Sequence, residues 1–183
     1  DRVKILDATW CLPNSGRNAE EEFKQNHIKN SIFFDIDKNS KKNSSLPHML
    51  PSNKEWENIV SNLGINNSDH VIIYDNSDVF SSCRVWYSFI YFGHDPDHVS
   101  VLDGNFTKWL REKRAVSKEI SKIQETNYKA IVGKMEVSNL NTMEKRILYP
   151  EIRIYDNPQT LTYEASIQTL SLIHISEPTR PNE

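Results

Sequence analysis

Four short apolar runs recur along the first part of the chain, each separated from the next by an amphipathic stretch. They are VKILDA (3–8), SIFFDI (31–36), HVIIYD (70–75) and VSVLDG (99–104). Compact apolar runs of this length, most of them reaching an aspartate near their end, read as parallel strands buried on both faces. The stretches between them carry helical periodicity. NAEEEFKQNH (18–27) predicts a short helix. SNKEWENIVSNLG (52–64) opens on a capping box, Ser52 with Glu55 three residues on, and stops at Gly64. Trp56, Ile59, Val60 and Leu63 fall on one face of it. SCRVWYSFIYFG (82–93) is a strongly apolar helix ending at Gly93, and NFTKWLREKR (105–114) is a fourth helix with basic residues in its last turn. Alternating strands and helices predict an α/β domain, a parallel sheet with helices on both faces. Ligands in such folds sit at the carboxyl ends of the strands, here the loops at Asp7, Asp75 and Asp103.

The pattern changes after Arg114. Residues 115–132 have little periodicity and read as a linker. EVSNLNTMEKRI (136–147) reads as a helix and RIYD (153–156) as a strand, so residues 133–169 are expected to begin a second α/β unit that is truncated. LSLIHISEPTR (170–180) fits neither unit. Read back into codons, it matches one frame of the mosaic-end adapter used in transposase-based DNA libraries. Residues 170–183 are therefore expected to be read-through and are given no fold. The chain opens at Asp1 almost directly on a strand, and the native start is expected upstream.

Composition narrows the function classes. The formal net charge is −3 with mixed signs, so there is no electrostatic footprint for nucleic acid or an anionic membrane. No apolar run approaches the ~18 residues of a membrane span. The two cysteines, Cys11 and Cys83, form no CxxC pair and point to a reducing, cytoplasm-like compartment, with the mitochondrion as the alternative.

Candidate chemistry is sparse. In VIIYDNSDVFSSCRVW (71–86) a buried strand runs through a polar loop into a helix, a ready cradle for an anion. Cys83, in the helix's first turn, is the candidate nucleophile, assisted by the helix dipole and Arg84; the preferred reading is a small core residue. Arg84 is the candidate for binding an anionic substrate, or else is ion-paired with Asp75 or Asp78. Cys11 and Arg17 have the C-x5-R spacing of cysteine phosphatases, but Pro13 removes one amide donor from that loop. His94 and His98 flank Asp95 and Asp97 in HDPDH; Pro96 blocks the helix that would align them on a metal, so a solvated turn is expected and no cofactor is assigned. His48 reads as a hydrogen-bonded loop residue.

Six ordered blocks carry a resemblance: DATWCLPNSGR (7–17), HIKNSIFFDID (27–37), LPHMLPS (46–52), VIIYDNSDVFSSCRVW (71–86), FGHD (92–95) and VSVLDGNFTKW (99–109). Over residues 1–114 the chain closely resembles the N-terminal domain of two-domain sulfurtransferases, the rhodanese and mercaptopyruvate sulfurtransferase family. The resemblance implies a rhodanese-like fold used twice in tandem. It implies transfer of sulfane sulfur from thiosulfate or 3-mercaptopyruvate to a thiol or cyanide through a cysteine persulfide. It also implies that the working cysteine belongs to the second domain, the domain's own natural partner. Asn76 stands about where an active domain would carry that cysteine, so this copy is expected to be non-catalytic. A non-catalytic binding module is the alternative, and the phosphatase a more distant one.

Overall fold

The computed structural model describes residues 2–131 together with the backbone of 152–155 and 163–165. Parallel strands β1 (Val3–Asp7), β3 (Ser31–Phe33), β4 (His70–Tyr74) and β5 (Val99–Leu102) form the sheet in the spatial order β3-β1-β4-β5. The register sets Ile5 against Ile72 and Ile72 against Ser100. Helices α1 (Ala19–Gln25), α2 (Asn53–Asn62), α3 (Ser81–Tyr91) and α4 (Asn105–Arg111) fill the connections. The expected α/β layout is thus present. Strand β3 is shorter than the apolar run 31–36, because the chain leaves the sheet after Phe33. His27, read as the end of a helix, lies instead in β2 (His27–Ile28), which pairs antiparallel with β6 (Val116–Ser117).

Strand alternation explains why the central runs are apolar throughout. Leu6, Val71, Ile73, Val99 and Val101 face one core with Trp56, Val60, Val85 and Phe89 of α2 and α3. Ile72, Tyr74 and Leu102 face the other with Phe106 of α4. The Ser52–Glu55 capping box forms as read, and Trp56 and Val60 are buried beneath it. Gly64 and Gly93 both adopt positive φ after their helices.

Residues 118–131 do not hang free. Tyr128 is fully buried in the larger core. Thr126 donates to the Ser61 carbonyl, Ala130 to Glu57, and Ile131 to the Phe92 carbonyl. The strap comes so close that a side chain on Gly93 would meet the Ile131 carbonyl, and one on Gly64 would lie 2.8 Å from the Gln124 oxygen. Aperiodic composition therefore marks a segment held by backbone hydrogen bonds and one anchor residue.

Beyond the strap, β7 (Ile152–Tyr155) lies one residue ahead of the strand expected at 153–156, and it extends this first sheet, parallel to β5, where the sequence placed it in a second unit. β8 (Tyr163–Ala165) pairs antiparallel with β7. The helix expected at 136–147 and the tail 170–183 lie outside the described residues. Among the described residues no helix is long and apolar enough to cross a membrane.

Candidate functional site at the carboxyl end of the sheet

The loop between β4 and α3 is built around Asp75, which is fully buried. Its carboxylate accepts from the Ser77 amide at 3.3 Å and from the Ser82 amide at 2.6 Å. The Ser77 hydroxyl takes the Ser81 amide at 3.1 Å. Thr9 Oγ1 takes the Asn76 amide at 2.9 Å and itself donates to buried Asp7 at 2.5 Å. Phe80, the residue before α3, sits in the left-handed region with φ 50° and no side-chain cap. That conformation is rare for an aromatic residue. The loop has the form of an anion cradle, yet several of its amides are already committed to the protein's own acidic and hydroxyl side chains.

Neither cysteine is placed as an activated nucleophile. Cys83 lies in the first turn of α3, partly buried, and burial together with the negative charge of Asp75 pushes its thiol pKa up. Both effects oppose the help a helix N-terminus gives a thiolate. Burial also pushes the Cys11 thiol up, with Arg17 offsetting only part of it. Asp78 touches neither Asp75 nor Arg84; it lies 3.9 Å from Arg17.

Arg17 is bound on several sides. It forms a two-pronged pair with Glu22 at 2.8 and 2.6 Å and donates to the Asn76 carbonyl at 2.8 Å. Its charge is held by Glu22 rather than left to clamp a phosphoryl group, so the C-x5-R spacing does not become a phosphatase site. A cleft of about 370 Å³ runs past these groups, walled by Asp7, Thr9, Arg17, Glu22, Asn76 and Phe106.

Two further expectations are corrected. Arg84 forms no ion pair with Asp75 or Asp78: Asp75 is taken up by backbone amides, and the Arg84 guanidinium turns away to donate to the His48 carbonyl. His94 is not in a solvated turn but 2% exposed. It bonds the Asp69 carbonyl at 3.0 Å and the Tyr128 hydroxyl at 3.2 Å, stacked on the Tyr128 ring. His98 faces the other way, 3.8 Å from Asp95, in a short 3₁₀ turn that begins at Pro96. Pro96 does prevent an α-helix there; the packing of Tyr128, invisible in the local pattern, decides the burial.

His48 is indeed hydrogen-bonded within its loop, and its partner gives it chemical meaning. Its Nε2 lies 2.7 Å from Asp37 Oδ1. The indole of Trp10 also donates to Asp37, at 3.1 and 3.2 Å to its two oxygens, and meets the His48 ring edge-on. A partly exposed, carboxylate-held imidazole is equipped to move a proton. Asp37 and His48 lie eleven residues apart in the one irregular connection between β3 and α2, and Trp10 comes from the loop after β1, so no regular period in the sequence joins them. Ser52 and Glu55, which do carry a local pattern, were legible.

A parallel sheet whose strand-end loop feeds a helix N-terminus defines an α/β domain of the anion-cradling kind. A family model described as "Rhodanese-like domain" matches residues 2–112. The chain belongs to the rhodanese-like domain family. It is 44% identical over 117 residues to 3-mercaptopyruvate sulfurtransferase of Rattus norvegicus, a match covering 63% of this chain and 39% of that one. It is 38% identical over 145 residues to thiosulfate sulfurtransferase of the same animal, covering 78% and 47%. Among solved structures, SseA from Escherichia coli, a 3-mercaptopyruvate sulfotransferase, superposes with a TM-score of 0.69 at 30% identity, covering 78% of this chain and 54% of that one. The chain spans about half the length, or less, of these relatives.

Proposed function

We propose that this chain is the non-catalytic first domain of a two-domain sulfurtransferase. The complete protein moves sulfane sulfur from thiosulfate or 3-mercaptopyruvate to a thiol or cyanide, through a persulfide on a cysteine of the second domain. On this division residues 1–114 form the first domain, 115–132 a connection packed into that domain's core through Tyr128, and 133–169 the start of the second, from which β7 adds to the first domain's sheet beside β5. One observation carries the reading: the loop 75–82 keeps the strand–loop–helix frame but holds no thiol and has bound the amides of Asn76, Ser77, Ser81 and Ser82 inward, on Asp75, Thr9 and Ser77.

The chemistry requires a thiolate stable at neutral pH and main-chain N–H groups free to hold an anionic persulfide. Here both thiols are pushed towards the protonated form. What this domain offers instead is a rim. Val79 and Phe80 stand exposed at the loop tip, suited to packing against the second domain. His48, hydrogen-bonded to Asp37, is the group of this domain assigned to exchange a proton with an acceptor thiol. The same apolar tip is what a purely binding rhodanese-like module would use, and that is the second reading. The reducing compartment expected from the cysteines is the cytoplasm; a relative from Arabidopsis thaliana is named as mitochondrial, which keeps that alternative in view.

The test is direct. The 183-residue chain is incubated with thiosulfate or 3-mercaptopyruvate and intact mass is read for one added sulfur on Cys11 or Cys83. No addition is expected, whereas a persulfide formed at an enzymatic rate overturns the reading. Joining the first domain to a second domain with a loop cysteine should restore turnover if the chain is half of an enzyme. A binding module would gain nothing from it.

A further inference from the structure

We propose that Arg84 is a positioning residue that fixes the His48 imidazole on Asp37, an inference that rests on His48 being the proton-handling group of this domain. Three observations carry it. Arg84 is an intermediate-exposure cation on α3, and among the described residues it makes no ion pair; burial lowers its pKa. A partly buried guanidinium without a counter-ion gains little stability from its charge, because even partial loss of hydration is left without a matching charge. Its hydrogen bond goes to one atom of consequence, the carbonyl of His48.

The second observation is the backbone of His48 itself. Its φ is 53°, in the left-handed region that favours glycine. A histidine remains there when neighbouring contacts over-determine it. The Arg84 bond grips the carbonyl end of that residue, while Asp37 grips the ring end at 2.7 Å. The third is the setting of the grip. Arg84 lies on the wall of a cavity of about 10 Å³ with Met49, Leu50 and Pro51, so the guanidinium reaches out from beneath the segment that follows His48. α3 is packed into the sheet core through Val85, Trp86 and Phe89, which gives Arg84 a rigid base. A rigid helix thereby sets the direction of an imidazole on an otherwise irregular loop. The candidate substrate-binding residue is then a residue that acts through another.

The test reads the tautomer of His48. In the intact 183-residue chain, ¹⁵N-labelled and with the His48 signals assigned through His48→Gln, the neutral ring should carry its proton on Nε2, because the Asp37 carboxylate only accepts. Arg84→Met removes the donor at similar volume; the two ring-nitrogen shifts of His48 are expected to converge towards tautomer averaging. Arg84→Gln keeps a neutral donor and should retain most of the separation. The imidazole signals of buried His27 and His94 report the fold in the same spectrum. A folded Arg84→Met chain with unchanged His48 shifts overturns the proposal. So does an Arg84→Gln chain that behaves like Arg84→Met. Asp37→Leu, which cannot accept a hydrogen bond, tests the underlying pair separately: if it leaves the His48 tautomer untouched, the Asp37–His48 reading fails, whatever Arg84 does.

Discussion

Two segments of this domain exchange the roles their sequences suggest. The loop 75–82 sits where chemistry belongs and turns its amides inward on Asp75, Thr9 and Ser77. The strap 118–131 looks like filler and supplies a fully buried tyrosine to the core. Both are aperiodic and both are held by backbone hydrogen bonds. What separates them is where the bonds go: the loop is tied mostly within its own strand–helix turn, the strap to residues about forty to seventy positions earlier, such as Ile131 to Phe92, Thr126 to Ser61 and Ala130 to Glu57. A strand-end loop can thus serve as a brace, and a connection can become core, with no change in the pattern of polar residues that a linear reading relies on.

The largest expected effect comes from the strap. Gly93→Ala places a side chain against the Ile131 carbonyl at φ 80°, where neither backbone can yield cheaply. It should cost about 3 kcal/mol in urea unfolding. A loss below about 1 kcal/mol would mean that the strap is not integral. Asp75→Ala comes next. It leaves the Ser77 amide and the Ser82 amide in the first turn of α3 without their carboxylate acceptor, for an expected loss of about 2 kcal/mol. If stability held, the loop would not be a brace.

The strap is also expected to make stability depend on pH. Burial lowers the pKa of His94 below its ordinary value. The unfolded chain then takes up a proton that the folded state refuses, so this contribution is complete above about pH 6.5 and declines as the pH falls through that value. Asp7 acts in the opposite sense at lower pH, since burial raises its pKa. The difference in urea midpoint between the wild type and His94→Gln should therefore shrink from pH 7.5 to pH 5, and a constant difference contradicts the assignment. The smallest effect is expected from Asn76→Cys. Stability should barely change, and the new thiol should alkylate no faster than a free cysteine, because the surrounding amides are engaged and Asp75 is adjacent. A rate tenfold above that of free cysteine would show the cradle to be still functional.

Much of the fold was legible in the chain. The apolar runs located β1, β4 and β5, and the capping box and glycine stops located α2 and α3 within a residue or two. The site was legible only in part. The absence of a thiol in the loop 75–82 can be read directly, and so can the polar character of the loop. The direction of its amides cannot, because Asp75 accepts from residues two and seven positions on only after the loop has closed. Arg84 was misassigned for a related reason: the nearest carboxylates in sequence were already occupied, and its real partner lies 36 residues away.

By itself, then, the sequence determined the layers: which runs are strands, which faces are apolar, and that the strand-end loop carries no cysteine. Those properties depend on side-chain type and local period, which are written in order along the chain. Only the tertiary structure decided that Asp37, His48 and Trp10 converge, that Arg17 is neutralised by Glu22, and that Tyr128 seats on His94. Those contacts join segments whose separation along the chain carries no signal, and they exist because the sheet and its helices bring the segments together.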